Sequence, residues 1–212
     1  MYDRTAFYGQ RIAKLEEEHS TLSKQQQEIS RIRLILFLLI VGSIVWTTQS
    51  GAWILLATLV LTIFFIIQVR RHTRVALEAS IVANTLQLNR DELAFMKGDK
   101  SLFPQGDIQL AADHIYAIDL DIFGKGSLFQ SIDRTGTWEG KGLIIDALLG
   151  PPKDISEIQL RKDAITELAK EVEWRQRFHV VGKMADESAA DMPSLRQWAS
   201  QPDFFAGRAS WI

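Results

Sequence analysis

The chain has 212 residues, of which 47% are hydrophobic and 24% are charged. This composition excludes both a disordered polymer and a chain that lies wholly in lipid, and the length allows one or two domains with a buried core. The net charge of -2 argues against a protein whose main task is to bind phosphates. The absence of cysteine from the sequence excludes disulfides, thiol catalysis and cysteine zinc sites.

Residues 1–31 predict a cytoplasmic amphipathic helix with a heptad pattern. The seam positions alternate in spacing between four and three, and charged residues such as Glu16, Lys24 and Glu28 lie between them. This pattern fits a dimerising coiled coil, and it fits equally a single helix that lies on its own protein or on a membrane. Under the first interpretation the protein is a homodimer. The seam positions are Tyr8, Ile12, Leu15, His19, Leu22, Gln26 and Ile29.

The next segment, within residues 32–69, predicts two transmembrane helices. From residue 34 to residue 69 there is no charged side chain, and one helix of that length would measure about 54 Å against a hydrocarbon core of about 30 Å. The polar sequence 47–51 divides the run, so we predict spans at about 32–48 and 52–68, joined by a tight turn. A hairpin buried in a soluble core is the alternative, which the absence of a polar face disfavours.

Basic residues flank the two predicted spans on one side only. Arg31 and Arg33 precede the first span, and Arg70, Arg71 and Arg74 follow the second. Because basic residues are enriched on the cytoplasmic side, both termini are expected to be cytoplasmic and the turn to lie outside. The lipid bilayer is therefore the first predicted partner.

Residues 70–112 predict a juxtamembrane helix followed by a linker. The helical pattern continues to about Lys97 and would extend the second span into the cytoplasm. Gly98, Pro104 and Gly106 then interrupt it, as is typical of a loop.

Residues 113–212 predict a mostly helical soluble domain with one short strand. The strand is predicted over residues 116–122, where apolar side chains alternate with Asp119 and Asp121. The predicted fold class is therefore mainly α, with a transmembrane helical hairpin followed by this domain.

Three helices are predicted after that strand. Ser127 and Thr137 are suited to cap the first two, and the third is expected to begin at Asp154 or Ser156, each of which fits a capping box. The buried face of the third helix is predicted to hold Ile158, Ile165, Leu168 and Val172.

No side chain qualifies as a catalytic, cofactor-binding or metal-binding residue. The four histidines have no helical ligand spacing, and the paired carboxylates of Asp119 and Asp121 have no partner base. Several arginines could touch phosphates but are expected on a charged outer helix face, while Leu128, Phe129 and Trp138 are expected to anchor a core rather than to stack on bases. The histidines are His19, His72, His114 and His179, and the arginines are Arg134, Arg161, Arg175 and Arg177.

The run DLDIFGKGSLFQ at residues 119–130 resembles the opening of the core (lever) domain of MutS-family proteins. A transmembrane hairpin ahead of this core is similar to a membrane-anchored bacterial subgroup of that family, in which a short helix, two spans and a Gly-Asp linker come first. The resemblance therefore implies a location in the bacterial inner membrane. It continues through residues 134–137, Gly140, Leu143, Leu148, Pro151, Ile158, Arg161, Ala164, Leu168 and residues 174–177.

Full-length members of the family are ATPases that dimerise and act on DNA, with ATP and Mg²⁺ at a Walker-type site near the C-terminus. The resemblance implies that this chain is the N-terminal anchor and partial core of such a protein, with the reading frame truncated at Ile212. The 212 residues contain no G-x-x-x-x-G-K-[ST], and the nearest sequence, at 136–142, is one residue short and ends in glycine. We therefore expect no ATPase activity and no cofactor in this chain, and DNA contact only through missing domains. The Phe-x-Glu pattern of the family's mismatch-repair members is also absent from the sequence.

The alternative hypothesis is a self-contained, membrane-anchored helical module that recruits a protein partner and has no nucleotide or DNA chemistry. The two hypotheses differ in the surface expected near the end of the chain. A partial core would expose apolar side chains there, whereas a complete module would end in a folded surface near Ile212. Neither hypothesis indicates a small-molecule substrate. The apolar side chains concerned are Trp198, Phe204, Phe205 and Trp211.

Overall fold

The computed structural model confirms a mainly α protein. The chain divides into two compact units, Met1–Lys97 and Gly98–Ile212. The structure describes residues 4–46, 53–106, 114, 116–150, 152, 154–185 and 191–201.

In the described part of the first unit there are two long helices, α1 (Arg4–Trp46) and α2 (Trp53–Met96). They contain 43 and 44 residues, so each is about 65 Å long. The predicted heptad helix and first span are therefore one continuous helix, and the second span continues without a break into the juxtamembrane helix. The predicted turn at 47–51 lies outside the described residues.

The two helices are antiparallel. Near one end, the Thr58 hydroxyl donates a hydrogen bond of 2.9 Å to Ser43 Oγ. Towards the other end, Arg90 Nη2 lies 2.6 Å from Glu16 Oε1. A residue early in α1 thus pairs with one late in α2, and the pairing extends along most of both helices.

A heptad seam joins α1 to α2 within the same chain. All seven seam positions predicted between Tyr8 and Ile29 are buried or half-buried, and Leu15 packs with Val82 and Leu86. The structure thus supports the interpretation in which the helix lies on its own protein, and a homodimer stays a prediction. The α2 side of the seam has the same spacing and consists of Ile54, Thr58, Leu61, Phe65, Gln68, His72, Val75, Ala79, Val82, Leu86, Asn89 and Leu93.

Within its described residues the second unit contains five shorter helices, and the predicted caps are in place. Ser127 Oγ accepts from the Gln130 amide, Thr137 Oγ1 accepts from the Gly140 amide, and Asp154 accepts from the Ser156 amide. Of the two alternatives for the third helix of this unit, Asp154 is therefore the cap. The helices are α3 (Leu128–Ile132), α4 (Trp138–Leu149), α5 (Ile155–Lys170), α6 (Val172–Met184) and α7 (Asp191–Ala199).

The predicted strand at 116–122 is wrong. The Leu120 amide donates to the Tyr116 carbonyl at 3.0 Å, and the Ile122 amide donates to the Ala117 carbonyl at 3.0 Å, so the segment closes on itself in successive turns. Asp121 has a positive φ of 48°, which a strand does not allow. Alternation in the sequence was misleading because a strand also needs a neighbour to satisfy its backbone, and none is present among the described residues.

The predicted buried face of α5 is also wrong. Ile158, Ile165 and Leu168 are exposed, and α5 has no buried residue. Val172 lies beyond the end of α5 and begins α6, against which α5 makes its main helix contact. The amphipathic spacing of α5 therefore creates an apolar surface that no described residue of the chain covers.

The cap of α5 predicts a pH dependence. The pKa of Asp154 is lowered by a hydrogen bond from the Ser156 hydroxyl, which has the larger effect, and by a second one from the Ser156 amide. Because the folded-state pKa is lowered, the stabilisation of α5 is present above the pKa of a free aspartate, about 3.9, and is lost as the pH falls through the folded-state value. The protection of the first-turn amides of α5, relative to their intrinsic exchange rate at each pH, is expected to fall below about pH 4, and less so in Asp154→Asn, which keeps an accepting oxygen without titrating. Identical pH profiles in the two proteins would contradict this.

Candidate functional site

The first candidate site is the apolar half of the α1–α2 hairpin. Both helices are long and apolar enough to cross a membrane, by length and composition, and only 11% of each apolar window is buried. Outside the seam, large side chains such as Leu38, Leu59 and Ile63 are more than half exposed. A core helix of a soluble protein buries such side chains, so this surface needs a covering of another kind.

Five arginines form a basic belt at the end of the apolar half, defined here as Arg31, Arg33, Arg70, Arg71 and Arg74. No hydrogen bond or ion pair engages their side chains within the described part of the chain. By contrast, Arg90 on α2 forms an ion pair with Glu16 on α1. The belt is therefore a surface of uncompensated positive charge beside an apolar one.

The second candidate site is the core of the second unit, built from the sequence that resembles MutS. The Phe129 side chain is fully buried at 0% exposure, and its ring centroid lies 5.4 Å from that of Phe123. Gly106 has a φ of +69°, and a Cβ there would lie 2.6 Å from the Phe129 ring. Glycine at 106 thus allows the preceding linker to close over Phe129.

Gln130 connects three parts of this core and is itself buried. Its Nε2 donates to the Phe103 carbonyl at 2.9 Å, and its Oε1 accepts from the Gly126 amide at 2.8 Å. Its own amide donates to Ser127 Oγ at 3.1 Å. The side chain therefore fixes the linker and the glycine turn to α3. Gln130 belongs to the run that resembles MutS, but its role could not be predicted, since a buried glutamine has no spacing signal.

The sequence at 136–142 contains a helix start, as predicted. Thr137 caps α4 at 3.1 Å from the Gly140 amide. Gly136 lies against the backbone of α6, where a Cβ would overlap the His179 carbonyl oxygen, and a Cβ on Gly182 of α6 would lie 2.9 Å from Thr137 Cγ2. Glycines thus serve close packing of a loop on a helix here.

A pair of alanine substitutions tests this packing. Gly136→Ala is expected to destabilise the contact with α6 by about 2 kcal/mol or more, because backbone must move to admit the Cβ. Gly142→Ala, within α4 with no atom closer than 4 Å to the added Cβ, is expected to stabilise that helix by about 0.5–1 kcal/mol. Amide exchange of α4 and α6 is expected to become faster in Gly136→Ala and slower in Gly142→Ala. Equal effects of the two substitutions would refute the contact between Gly136 and α6.

The remaining candidate residues are not brought together. Asp119 and Asp121 are exposed, and among the described residues no group of three or more histidine, aspartate or glutamate side chains could hold a metal. Arg161 pairs with Glu157 at 2.8 Å, and Arg175 donates to the Ala169 carbonyl at 3.2 Å, as expected of an outer helix face.

Three of the predictions about side chains need correction. Arg134 is not on an outer face, because it is half-buried with its guanidinium 3.6 Å from the centroid of the Phe103 ring, and its carbonyl contacts His179 Nδ1 at 2.8 Å. Leu128 and Trp138 are exposed, so only Phe129 of the three predicted anchors is in the core.

Trp198 is exposed, and the other apolar residues expected near the end of the chain lie outside the described residues.

Comparison with known proteins gives one short similarity. A stretch of 55 residues, 26% of this chain, is 47% identical to the DNA mismatch repair protein MutS of Thermosynechococcus vestitus (strain NIES-2133 / IAM M-273 / BP-1). The matched stretch spans 6% of the length of that relative. No family model and no solved structure matches the chain. The similarity supports a relation to the MutS family over this stretch.

Proposed function

We propose that the chain is the N-terminal membrane anchor and partial core of a membrane-tethered, MutS-like, DNA-associated ATPase. The observation that carries the anchor is the apolar half of the hairpin, which is nine-tenths unburied and ends at the basic belt. The local similarity to MutS supports the core. In this proposal both termini face the cytoplasm and the membrane is the bacterial inner membrane.

The polar half of the hairpin gives this anchor a defined shape. Residues 4–31 and 70–96 extend the two helices by about 40 Å beyond the apolar half. They are held together by the seam around Leu15 and by the Glu16–Arg90 ion pair. The anchor is therefore proposed to be a stalk as well as a membrane hairpin.

The orientation can be tested directly because the chain contains no cysteine. Single substitutions Ser20→Cys, on the exposed face of the polar half, and Ser50→Cys, in the predicted turn, provide one reporter for each side of the membrane. In intact spheroplasts an impermeant maleimide is expected to label position 50, and position 20 only after permeabilisation. The reverse pattern would overturn the orientation, and labelling of both with the chain in the soluble fraction would overturn the anchor.

The ATPase part of the proposal belongs to sequence beyond this chain. Sequencing the coding DNA past codon 212 is expected to reveal an open frame that reaches a G-x-x-x-x-G-K-[ST] motif. The purified chain itself is expected neither to bind nor to hydrolyse ATP, and turnover by the 212 residues would contradict the assignment.

A second function, a membrane-anchored interaction module, is favoured by the apolar surface of the second unit. Ile155, Ile158 and Ile165 on α5 are exposed, and so are Trp174 and Phe178 on α6, whose rings stack at 5.2 Å. A stop codon directly after codon 212, with monodisperse protein in detergent, would favour this module over the partial core.

A further inference from the structure

A shallow, open groove of about 510 Å³, lined by polar residues, lies beside α1 and α2 on the polar side of their charge-free segments. All of its lining residues belong to the first unit, and all but one lie on α1. The lining has two hydroxyls, two side-chain amides, one guanidinium and one imidazole, and no acidic residue. The lining residues are Ser23, Gln26, Gln27, Ser30, Arg31 and His72.

The seam between the helices is polar at this level. Gln26 and His72 are seam positions, and both are half-buried where aliphatic residues would normally close a heptad seam. Gln68 lies one turn from His72 towards the apolar half and is only 6% exposed, and its Oε1 accepts no hydrogen bond from the protein. A buried acceptor is unfavourable without a donor, and Gln68 adds to the polar character of the seam but does not line the groove.

The charge around the groove is positive. Arg31 lines it and belongs to the basic belt, whose five arginines have no acidic partner among the described residues. No aspartate or glutamate occurs between residue 29 and residue 77, and the nearest acidic side chain in α1, Glu28, is exposed. Guanidinium, hydroxyl and amide donors together suit a phosphate diester, which the planar arginine fork binds through two oxygens.

We propose that this groove binds the headgroup of an anionic phospholipid. The phosphate lies on Arg31 and the neighbouring serine and glutamine donors. The inference rests on the proposed membrane anchor, because only a spanning hairpin places the groove at the level of lipid headgroups. Basic pockets between membrane helices on the cytoplasmic side suit such lipids.

Native mass spectrometry of the whole chain in detergent tests this site, with phosphatidylglycerol and phosphatidylcholine as the probes. The wild-type chain is expected to retain phosphatidylglycerol in preference to phosphatidylcholine. Arg31→Gln is expected to reduce this preference about tenfold, because it removes a charge-assisted contact. Arg74→Gln is the matched control, since it removes the same charge from the same belt outside the groove, and it is expected to change the preference less than about threefold.

The outcomes separate the site from its alternatives. Equal losses in the two variants would overturn the groove in favour of attraction by the whole belt. Displacement of the lipid by equimolar glycerol 3-phosphate would overturn the lipid in favour of a soluble phosphate compound. Alkaline extraction of wild-type membranes separates the proposals: a chain that stays in the membrane without preference for phosphatidylglycerol refutes only the headgroup site, whereas a chain released from the membrane refutes the anchor.

Discussion

Leu59→Arg is expected to lower the share of the chain that stays in the membrane, whereas Leu77→Arg is expected to leave that share unchanged. An arginine at the centre of a span costs about 2.5–3.5 kcal/mol of insertion free energy, and position 59 lies near the middle of the predicted second span. The measurement is the share of the chain that stays with membranes after alkaline extraction.

The control is matched in chemistry, helix and exposure. Leu77 lies on α2 as well, in the polar half, and is 53% exposed against 59% for Leu59. The two positions are 18 residues apart, which is five helical turns at 3.6 residues per turn, so both lie on the same side of the helix. A soluble hairpin predicts the contrary outcome, because an exposed leucine replaced by arginine would be tolerated equally at both positions. Equal behaviour of the two variants would therefore refute the membrane anchor.

The first unit could be predicted well because its signals are local. The charge-free run, the basic flanks and the heptad spacing each depend on residues within a few helical turns, and all of them are found in α1 and α2. The partner of the heptad seam could not be predicted, because spacing shows which face of a helix is buried but not what covers it. Tyr8 to Ile29 would show the same pattern against a second chain as against α2.

In the second unit, features that depend on residues close in sequence could be predicted, and features that depend on distant residues could not. Caps at Ser127, Thr137 and Asp154 were predictable because each bonds an amide two or three residues away. The strand and the buried face of α5 were not, because both depend on a neighbour distant in sequence. Gln130 is the strongest example, since its role comes from Phe103, 27 residues earlier in the chain.

Phe129→Ala is expected to unfold the core of the second unit, whereas Leu128→Ala is expected to be tolerated. Phe129 is fully buried, between Phe123 and the linker closed by Gly106, so its truncation leaves a cavity that costs about 3–5 kcal/mol. Amide exchange of residues 116–137, measured on the whole chain in detergent, is expected to lose protection in this variant. The exchange of α1 and α2 serves as an internal reference, because their seam is built from other residues.

Leu128 is the matched control because it precedes Phe129 in the same helix and is 45% exposed. Its truncation removes little buried surface, so the change is expected to stay within about 1 kcal/mol. The pair also tests how the sequence resembling MutS is used. Equal loss of protection in both variants would mean that Leu128 is covered in solution, and would favour a second copy or a further domain packed over α3. Loss in Phe129→Ala alone would support the core described here, in which the Gly-rich turn and the linker are held together by one buried aromatic ring and one buried glutamine.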